Sequence, residues 1–299
     1  VTEKSSFPDF IPIPEEDLNY SCLALVGISL AAIPIMVLYA ALVFLSLPLK
    51  CWNLIQQKRA KEQIHRVNAF IREFFDILAM LIRYPISKNY QYTSAVGETG
   101  NPILLVHGYL HNASAWHYLI ARMKKEHLGP IYAIDLGDGS VSGKFWSIKK
   151  YAQQLLEKTE QITQETGRKD ISIVSHSMGG LVAAAFAKLA PKDAQINMIS
   201  LGTPFNGTQI ALHLASGPNG RSMVPASEFI QELRRGLEEN KDHIQFLHIA
   251  AKQDLIVPVK SALMGSMRNS NITFDDIGHC GLLRSKSVAD QVCKWLIKS

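Results

Sequence analysis

The spacing of apolar and polar positions changes character twice along the chain. From Cys22 to Leu49 no charged side chain occurs, a run longer than the ~20 residues that cross a bilayer, which predicts a transmembrane or membrane-embedded helix over residues 20–50. Between Arg59 and Arg83 the spacing becomes helical. Lys61, His65, Asn68, Arg72, Asp76 and Arg83 mark one face, opposite a broad apolar face of Val67, Phe70, Ile71, Phe74, Phe75, Leu78 and Ile82. Pro85 ends the pattern, and the apolar face suits either a headgroup layer or packing on the domain that follows. From Tyr90 onward short apolar runs alternate with helical stretches. "PILLVHG", "IYAIDL", "ISIVSHS", "INMISLGTP", "FLHIAAKQD" and "ITFDDIGH" predict strands that run into loops, with helices over His111 to Glu126, Ser147 to Glu165 and Met178 to Leu189 between them. Buried strands alternating with helices imply an α/β fold with a mostly parallel sheet flanked by helices.

Composition sharpens the N-terminal half of this picture. The chain has 299 residues, enough for one large core and an appendage, and its 47% hydrophobic content is concentrated near the N-terminus. An acidic tail, residues 1–19, carries Glu3, Asp9, Glu15, Glu16 and Asp17 against Lys4. A signal peptide would need a basic start and an apolar core of only ~7 to 15 residues, so it fits poorly. A buried core helix is the bland alternative, and Pro34 leaves a re-entrant hairpin open. Lys50, Lys58, Arg59, Lys61 and Arg66 follow the apolar run, which places the remainder on the cytoplasmic side of a single-pass or monotopic protein. The net charge of +5 suits an anionic membrane surface, and no nucleic-acid motif is present. Of four cysteines, Cys22 and Cys51 bracket the apolar run and Cys280 and Cys293 lie beyond it, with neither metal-site spacing nor a disulfide framework. The order of parts is therefore tail 1–19, membrane segment 20–50, juxtamembrane amphipathic helix 51–89 and an α/β domain 90–299.

The chemistry begins where "ISIVSHSMGGLVAAAFAKL" abandons β-branched residues for small ones. A strand that meets a helix with almost no loop turns sharply at Ser177, and Ser175, Gly179 and Gly180 are small where backbones nearly touch. The hydroxyl then stands at a helix N-terminus, where backbone N–H groups can hold a developing oxyanion.

"SHSMGG" resembles the "GHSMGG" or "AHSMGG" of bacterial lipases and esterases of the α/β-hydrolase superfamily, whose nucleophile elbow it matches apart from Ser175 in place of the first glycine. That resemblance covers about Tyr90 to Lys298 and implies the α/β-hydrolase fold, with a small lid. It also implies the order Ser, acid, His. His279 in "DIGHCGLL" takes the place of the base. Asp254, in "FLHIAAKQDLIVP", takes the place of the acid, while Asp275 and Asp276 fit a strand end or a solvated face. His107, in "VHGYL", belongs to a loop resembling the family's oxyanion loop, which implies the backbone N–H of Tyr109 as one oxyanion donor and that of Met178 as the other. "LGTPFNGT" resembles "GTPHRGS", but Phe205 and Asn206 replace its polar pair and inherit no role. The stretch 205–243 is long enough to form the lid, and Ile210, Leu212, Leu214, Met223, Phe229 and Ile230 either line an acyl pocket or pack helices.

The resemblance thus implies a lipase-like or esterase-like serine hydrolase acting on a lipid or other carboxylic ester through Ser177, His279 and Asp254, without cofactor or metal. An acyltransferase or thioesterase would use the same residues, and a noncatalytic membrane-tethered binding module would keep the fold alone.

Overall fold

The computed structural model describes residues 60–84, 92–93, 100–136, 145–212, 217–239, 244–264 and 269–298. The expected tail 1–19, the membrane segment 20–50 and the start of the juxtamembrane stretch lie outside these residues. Among the described residues, no helix is long and apolar enough to cross a membrane.

Seven strands form one sheet: β1 (Tyr92–Thr93), β2 (Ile103–Val106), β3 (Ile131–Ile134), β4 (Ile171–His176), β5 (Ile196–Leu201), β6 (Ile244–Ala251) and β7 (Asn269–Phe274). Their spatial order is β1-β3-β2-β4-β5-β6-β7. Only β1 is antiparallel to its neighbour; β2 to β7 are mutually parallel. The helices are α1 (Ala60–Arg83), α2 (His117–Lys125), α3 (Ile148–Thr166), α4 (Met178–Ala187), α5 (Gly217–Ser222), α6 (Glu228–Glu239), α7 (Val259–Ala262) and α8 (Lys286–Leu296).

Strand side chains alternate between two buried layers, as a pleat with helices on both faces requires. Leu104 and Val106 point with Ile171 and Ile173 into a core closed by α3, α4 and α6. Ile103 and Leu105 point with Val174 and Ile199 into a second core closed by Trp116, Leu119, Met123, Val288 and Val292. Local chemistry sets the helix ends. The Ser147 hydroxyl caps α3 by accepting from the Lys150 N–H at 3.2 Å, and Gly167 ends α3 in the left-handed region at φ 69°. The predicted helix from His111 is delayed: Asn112 caps a 3-10 turn over Ala113–Trp116, and α2 begins only at His117.

Two open readings are narrowed. The amphipathic helix does not dock through its broad apolar face. Ala69 and Met80 are buried beneath α1 and Ile77 is partly so, while Ile64, Ile71, Phe75, Leu78 and Ile82 on the far side are 37% to 69% exposed. Docking is instead polar: the Arg284 guanidinium donates to Asp76 at 2.6 Å, and the Asn112 side chain donates to the Tyr84 carbonyl at 2.9 Å. Helix α1 is therefore built into the same body as the sheet, N-terminal to the expected boundary at residue 90. The second concerns the stretch 205–243. Ile230, Leu233 and Leu237 of α6 pack into the sheet core with Phe246 and Met198, as a framework helix does. Met223 joins that core and Phe229 packs against it, Leu212 is exposed, and Leu214 lies outside the described residues.

Candidate active site

Because β2 to β7 are parallel, the loops that follow them open on one edge of the sheet. The chain leaves β2 for β3 on one side and later returns to place β4 on the other, so the strand order reverses between β2 and β4. A crevice forms at such a reversal. Ser177 follows β4, Tyr109 follows β2, Asp254 follows β6 and His279 follows β7.

Ser177 has φ 53° and ψ −127°, a conformation that L residues rarely adopt and that stores local strain. Close packing holds it there. A Cβ on Gly179 would stand 2.3 Å from the Val106 carbonyl oxygen, and one on Gly180 would stand 1.9 Å from the Thr203 hydroxyl. Glycine is required at both places, whereas Ser175 is accommodated because its hydroxyl donates to the Ile199 carbonyl of β5 at 3.0 Å. The Ser177 N–H donates to the Leu201 carbonyl at 2.9 Å, which fixes the turn to the next strand.

Asp254 and His279 meet across the loops after β6 and β7. The His279 Nδ1–H donates to one Asp254 oxygen at 2.6 Å, and both side chains are buried. The other Asp254 oxygen accepts from the N–H groups of Ile256 and Val257 at 2.8 and 2.7 Å, so the carboxylate cannot turn away. Burial alone would push the His279 imidazole down. The charge and hydrogen bond of Asp254, joined by the charge of Glu73, outweigh it and hold His279 above the ordinary histidine value. With Nδ1 committed, Nε2 is the nitrogen left to exchange a proton.

His176 links this pair to the elbow. Its Nε2–H donates to the His279 carbonyl at 3.1 Å, its ring centroid lies 4.6 Å from that of His279, and burial drives its pKa well below the usual value. It is thus a neutral donor beside Ser177.

The oxyanion side is equally crowded. A Cβ on Gly108 would lie 2.9 Å from the Ser177 Cβ, so the loop carrying Tyr109 passes directly over the elbow. The Tyr109 ring stacks on Phe145 at 5.8 Å. Met178 is buried as the first residue of α4, where an N–H has no partner within its helix. His107 holds the loop: its Nε2 accepts from the Leu136 N–H at 2.9 Å and its Nδ1–H donates to the Gly108 carbonyl at 2.8 Å.

Other sequence candidates are placed elsewhere. Asp275 pairs with Lys252 and Asp276 with Arg72, both on the surface. Phe205 is buried against Phe246 and His248, and Asn206 donates to the Lys260 carbonyl at 2.9 Å. One contributor was absent from the sequence reading: Glu73 of α1, whose carboxylate reaches the backbone N–H groups of Cys280 and Gly281 at 2.7 and 3.0 Å. The spacing Ala69, Glu73, Asp76, Met80 was its signal, one helical face opposite the apolar stripe.

Comparison with known proteins adds three findings. The family described as "Alpha/beta hydrolase family" matches residues 103–253. The lysosomal thioesterase PPT2-B of Xenopus laevis is 28% identical over 108 residues, 36% of each chain. Triacylglycerol lipases of Pseudarthrobacter phenanthrenivorans and Burkholderia plantarii are each 26% identical over 145 residues, 44% of this chain and 43% and 38% of theirs. The chain spans less than half the length of each of these relatives. The crystal structure of the Bacillus licheniformis lipase BlEst2 in mature form is similar at TM-score 0.57 and 18% identity, covering 68% of this chain and 96% of that one. At that identity the likeness establishes the fold.

Proposed function

The chain belongs to the alpha/beta hydrolase family, and from that premise we propose that it is a serine hydrolase of carboxylic esters whose catalytic residues are Ser177, His279 and Asp254. The observation that carries this reading is the buried Asp254–His279 pair on the sheet edge where Ser177 occupies a strained turn. In the proposed reaction Ser177 Oγ attacks the ester carbonyl while His279 Nε2 accepts its proton. The N–H groups of Tyr109 and Met178 hold the oxyanion. His279 then protonates the leaving alcohol, and a water activated by the same nitrogen releases the acid. Asp254 keeps the imidazole in the tautomer that makes both transfers possible.

Lipid-like esters are the proposed substrates. Relatives named triacylglycerol lipase support that choice. Of the described residues, 206–212 and 217–222 are the part of the expected lid that remains once α6 is assigned to the framework. A thioester substrate is the second reading, supported by the relative named as a lysosomal thioesterase.

A membrane location with the hydrolase on the cytoplasmic side fits the uncharged run Cys22 to Leu49 and the basic residues after it. The exposed stripe of α1 supports a lipid surface as its partner. Ile64, Ile71, Phe75, Leu78 and Ile82 form one line along the helix, and fully burying such a side chain is worth ~1.5–3 kcal/mol.

The test is labelling by a fluorophosphonate probe, with turnover of oxygen and sulfur esters in parallel. Label on Ser177 that is lost in Ser177→Ala, with faster cleavage of the oxygen ester, is expected. Labelling that persists in Ser177→Ala overturns the assignment. For the membrane reading, a chain beginning at Cys51 should sediment with anionic vesicles, and Phe75→Glu should release it. Equal sedimentation of both would remove α1 from the lipid surface.

A further inference from the structure

The turn that carries the proposed base has an unusual source for its cap. Cys280 to Leu283 form a 3-10 turn whose N-cap residue is His279. The first amides of such a turn need acceptors, and ordinarily the N-cap side chain supplies one. His279 makes no such bond, because its ring is committed to Asp254. The acceptor arrives instead from far away in the sequence. One Glu73 oxygen accepts from the Cys280 N–H at 2.7 Å and the other from the Gly281 N–H at 3.0 Å. Residue 278 makes room for it, since a Cβ on Gly278 would stand 2.4 Å from the same carboxylate.

The main chain of His279 is thus gripped on both sides: Glu73 holds the amides that follow it, and the His176 N–H holds its own carbonyl. We propose that Glu73 is a positioning residue for His279, capping in trans the turn that carries the imidazole. This rests on the proposed role of His279 as the base. Glu73 touches no reacting atom.

Its charge adds a second effect. The ionisable groups around His279 are Asp254, Glu73, the neutral His176 and the buried thiol of Cys280. A carboxylate behind the ring favours the imidazolium that forms as Ser177 attacks. Burial raises the pKa of Glu73 itself, against the lowering by the two amides and His279. Removing its charge should therefore make His279 easier to deprotonate and harder to protonate during turnover.

The experiment compares Glu73→Gln, Glu73→Asp, Gly278→Ala and Asp76→Asn in the full chain. Asp76 holds α1 through Arg284 and accepts no bond from the Cys280 or Gly281 amide. A soluble p-nitrophenyl ester gives kcat and KM against pH, normalised to sites titrated with a fluorophosphonate. Exchange of the Cys280 and Gly281 amides is followed separately. Glu73→Gln should lower kcat roughly tenfold with little change in KM, move the acidic limb of kcat/KM to lower pH and speed exchange at both amides. Glu73→Asp should return the limb toward its original position. Gly278→Ala, which wedges the carboxylate away, should lower kcat in the same way, while Asp76→Asn should reduce thermal stability without moving the limb. Glu73→Gln with unchanged kcat and limb per titrated site would reduce Glu73 to a strut and overturn the proposal. If Glu73→Gln does not fold, Gly278→Ala decides by the same criteria. Parent protein that neither labels nor turns over ester overturns the hydrolase reading, and this inference with it.

Discussion

The imidazole of His176 lies against that of His279, with centroids 4.6 Å apart, and its N–H bonds to the His279 carbonyl at 3.1 Å. The residue before the proposed nucleophile therefore braces the proposed base. His176→Phe keeps a ring in place and removes the donor. Loss of one neutral hydrogen bond, ~0.5–1.5 kcal/mol, should lower kcat/KM on a soluble ester by about two- to tenfold. An unchanged value would show that the bond does not position the base.

Asp254→Asn separates orientation from architecture. Asparagine can keep the oxygen that accepts from Ile256 and Val257, but it presents an N–H toward His279 where an acceptor stood. Stability should change little while kcat falls by a factor on the order of 10⁴, as expected when the histidine is forced into the wrong tautomer. A comparable kcat would move the acid to another residue.

The pH dependence has two opposite parts. As the proposed base, His279 must be neutral to accept a proton and is held above the ordinary value, so the acidic limb of kcat/KM should have its midpoint above the free-histidine value of ~6.5. Stability responds to other histidines. Burial, foremost, holds His111, His117 and His248 down at about 4. Between the ordinary value of 6.5 and about 4 the unfolded chain binds protons that the native one refuses. The contribution of these three histidines to stability should fall as pH drops through that window and level off below it. His248→Gln should make the fall shallower in a thermal melt; an identical slope would place the acid sensitivity elsewhere.

The elbow glycines should differ sharply in tolerance from a surface glycine. Gly179→Ala drives a Cβ into backbone oxygens at 2.3 and 2.4 Å, which should cost about 3 kcal/mol or more. Gly167→Ala meets nothing within 4 Å and bears only the left-handed backbone penalty, ~1–2 kcal/mol. Ser175→Ala loses one bond to Ile199 and should cost about 1 kcal/mol. Denaturant midpoints that place Gly167→Ala below Gly179→Ala would contradict the packing described for the elbow.

Chains beginning at Cys51 and at Tyr84 should behave differently. The first retains α1 and should turn over a soluble ester. The second uncovers Met80's site and the Arg284 guanidinium and leaves the turn after His279 without Glu73. It should melt lower and lose most activity. Equal melting and turnover would mean that α1 is an accessory.

The strands and the edge they share were legible because their information is local. "ILLV", "ISIVSH" and "INMISL" are runs of apolar or β-branched residues, and the small residues after His176 could serve only a tight turn. Asp254 and His279 could be chosen from many carboxylates and ten histidines only through the order that the family resemblance implies. The docking of α1 was hidden for a physical reason. The partners of Glu73 are main-chain amides at 280 and 281, which carry no side-chain identity, and several large apolar residues of α1 face away from the body. The bulky face advertised a contact, while a glutamate on the other face made one. The role of α6 was obscured by length, since 205–243 reads as one insertion although Ile230, Leu233 and Leu237 are spaced to cover a sheet.

The bond between Glu73 and the Cys280 amide joins residues 207 positions apart, and this has a consequence for the order in which the molecule is made. A ribosome adding roughly 5–20 residues per second releases α1 on the order of ten to forty seconds before the turn it caps exists. During that interval Glu73 has no acceptor role to fill, and the helix waits with both faces uncovered. Helix α1 and the turn after β7 must then find each other after everything between them has been laid down, so the nascent chain closes like a clasp. Its proposed chemistry would switch on only once the turn at residue 280 has been made.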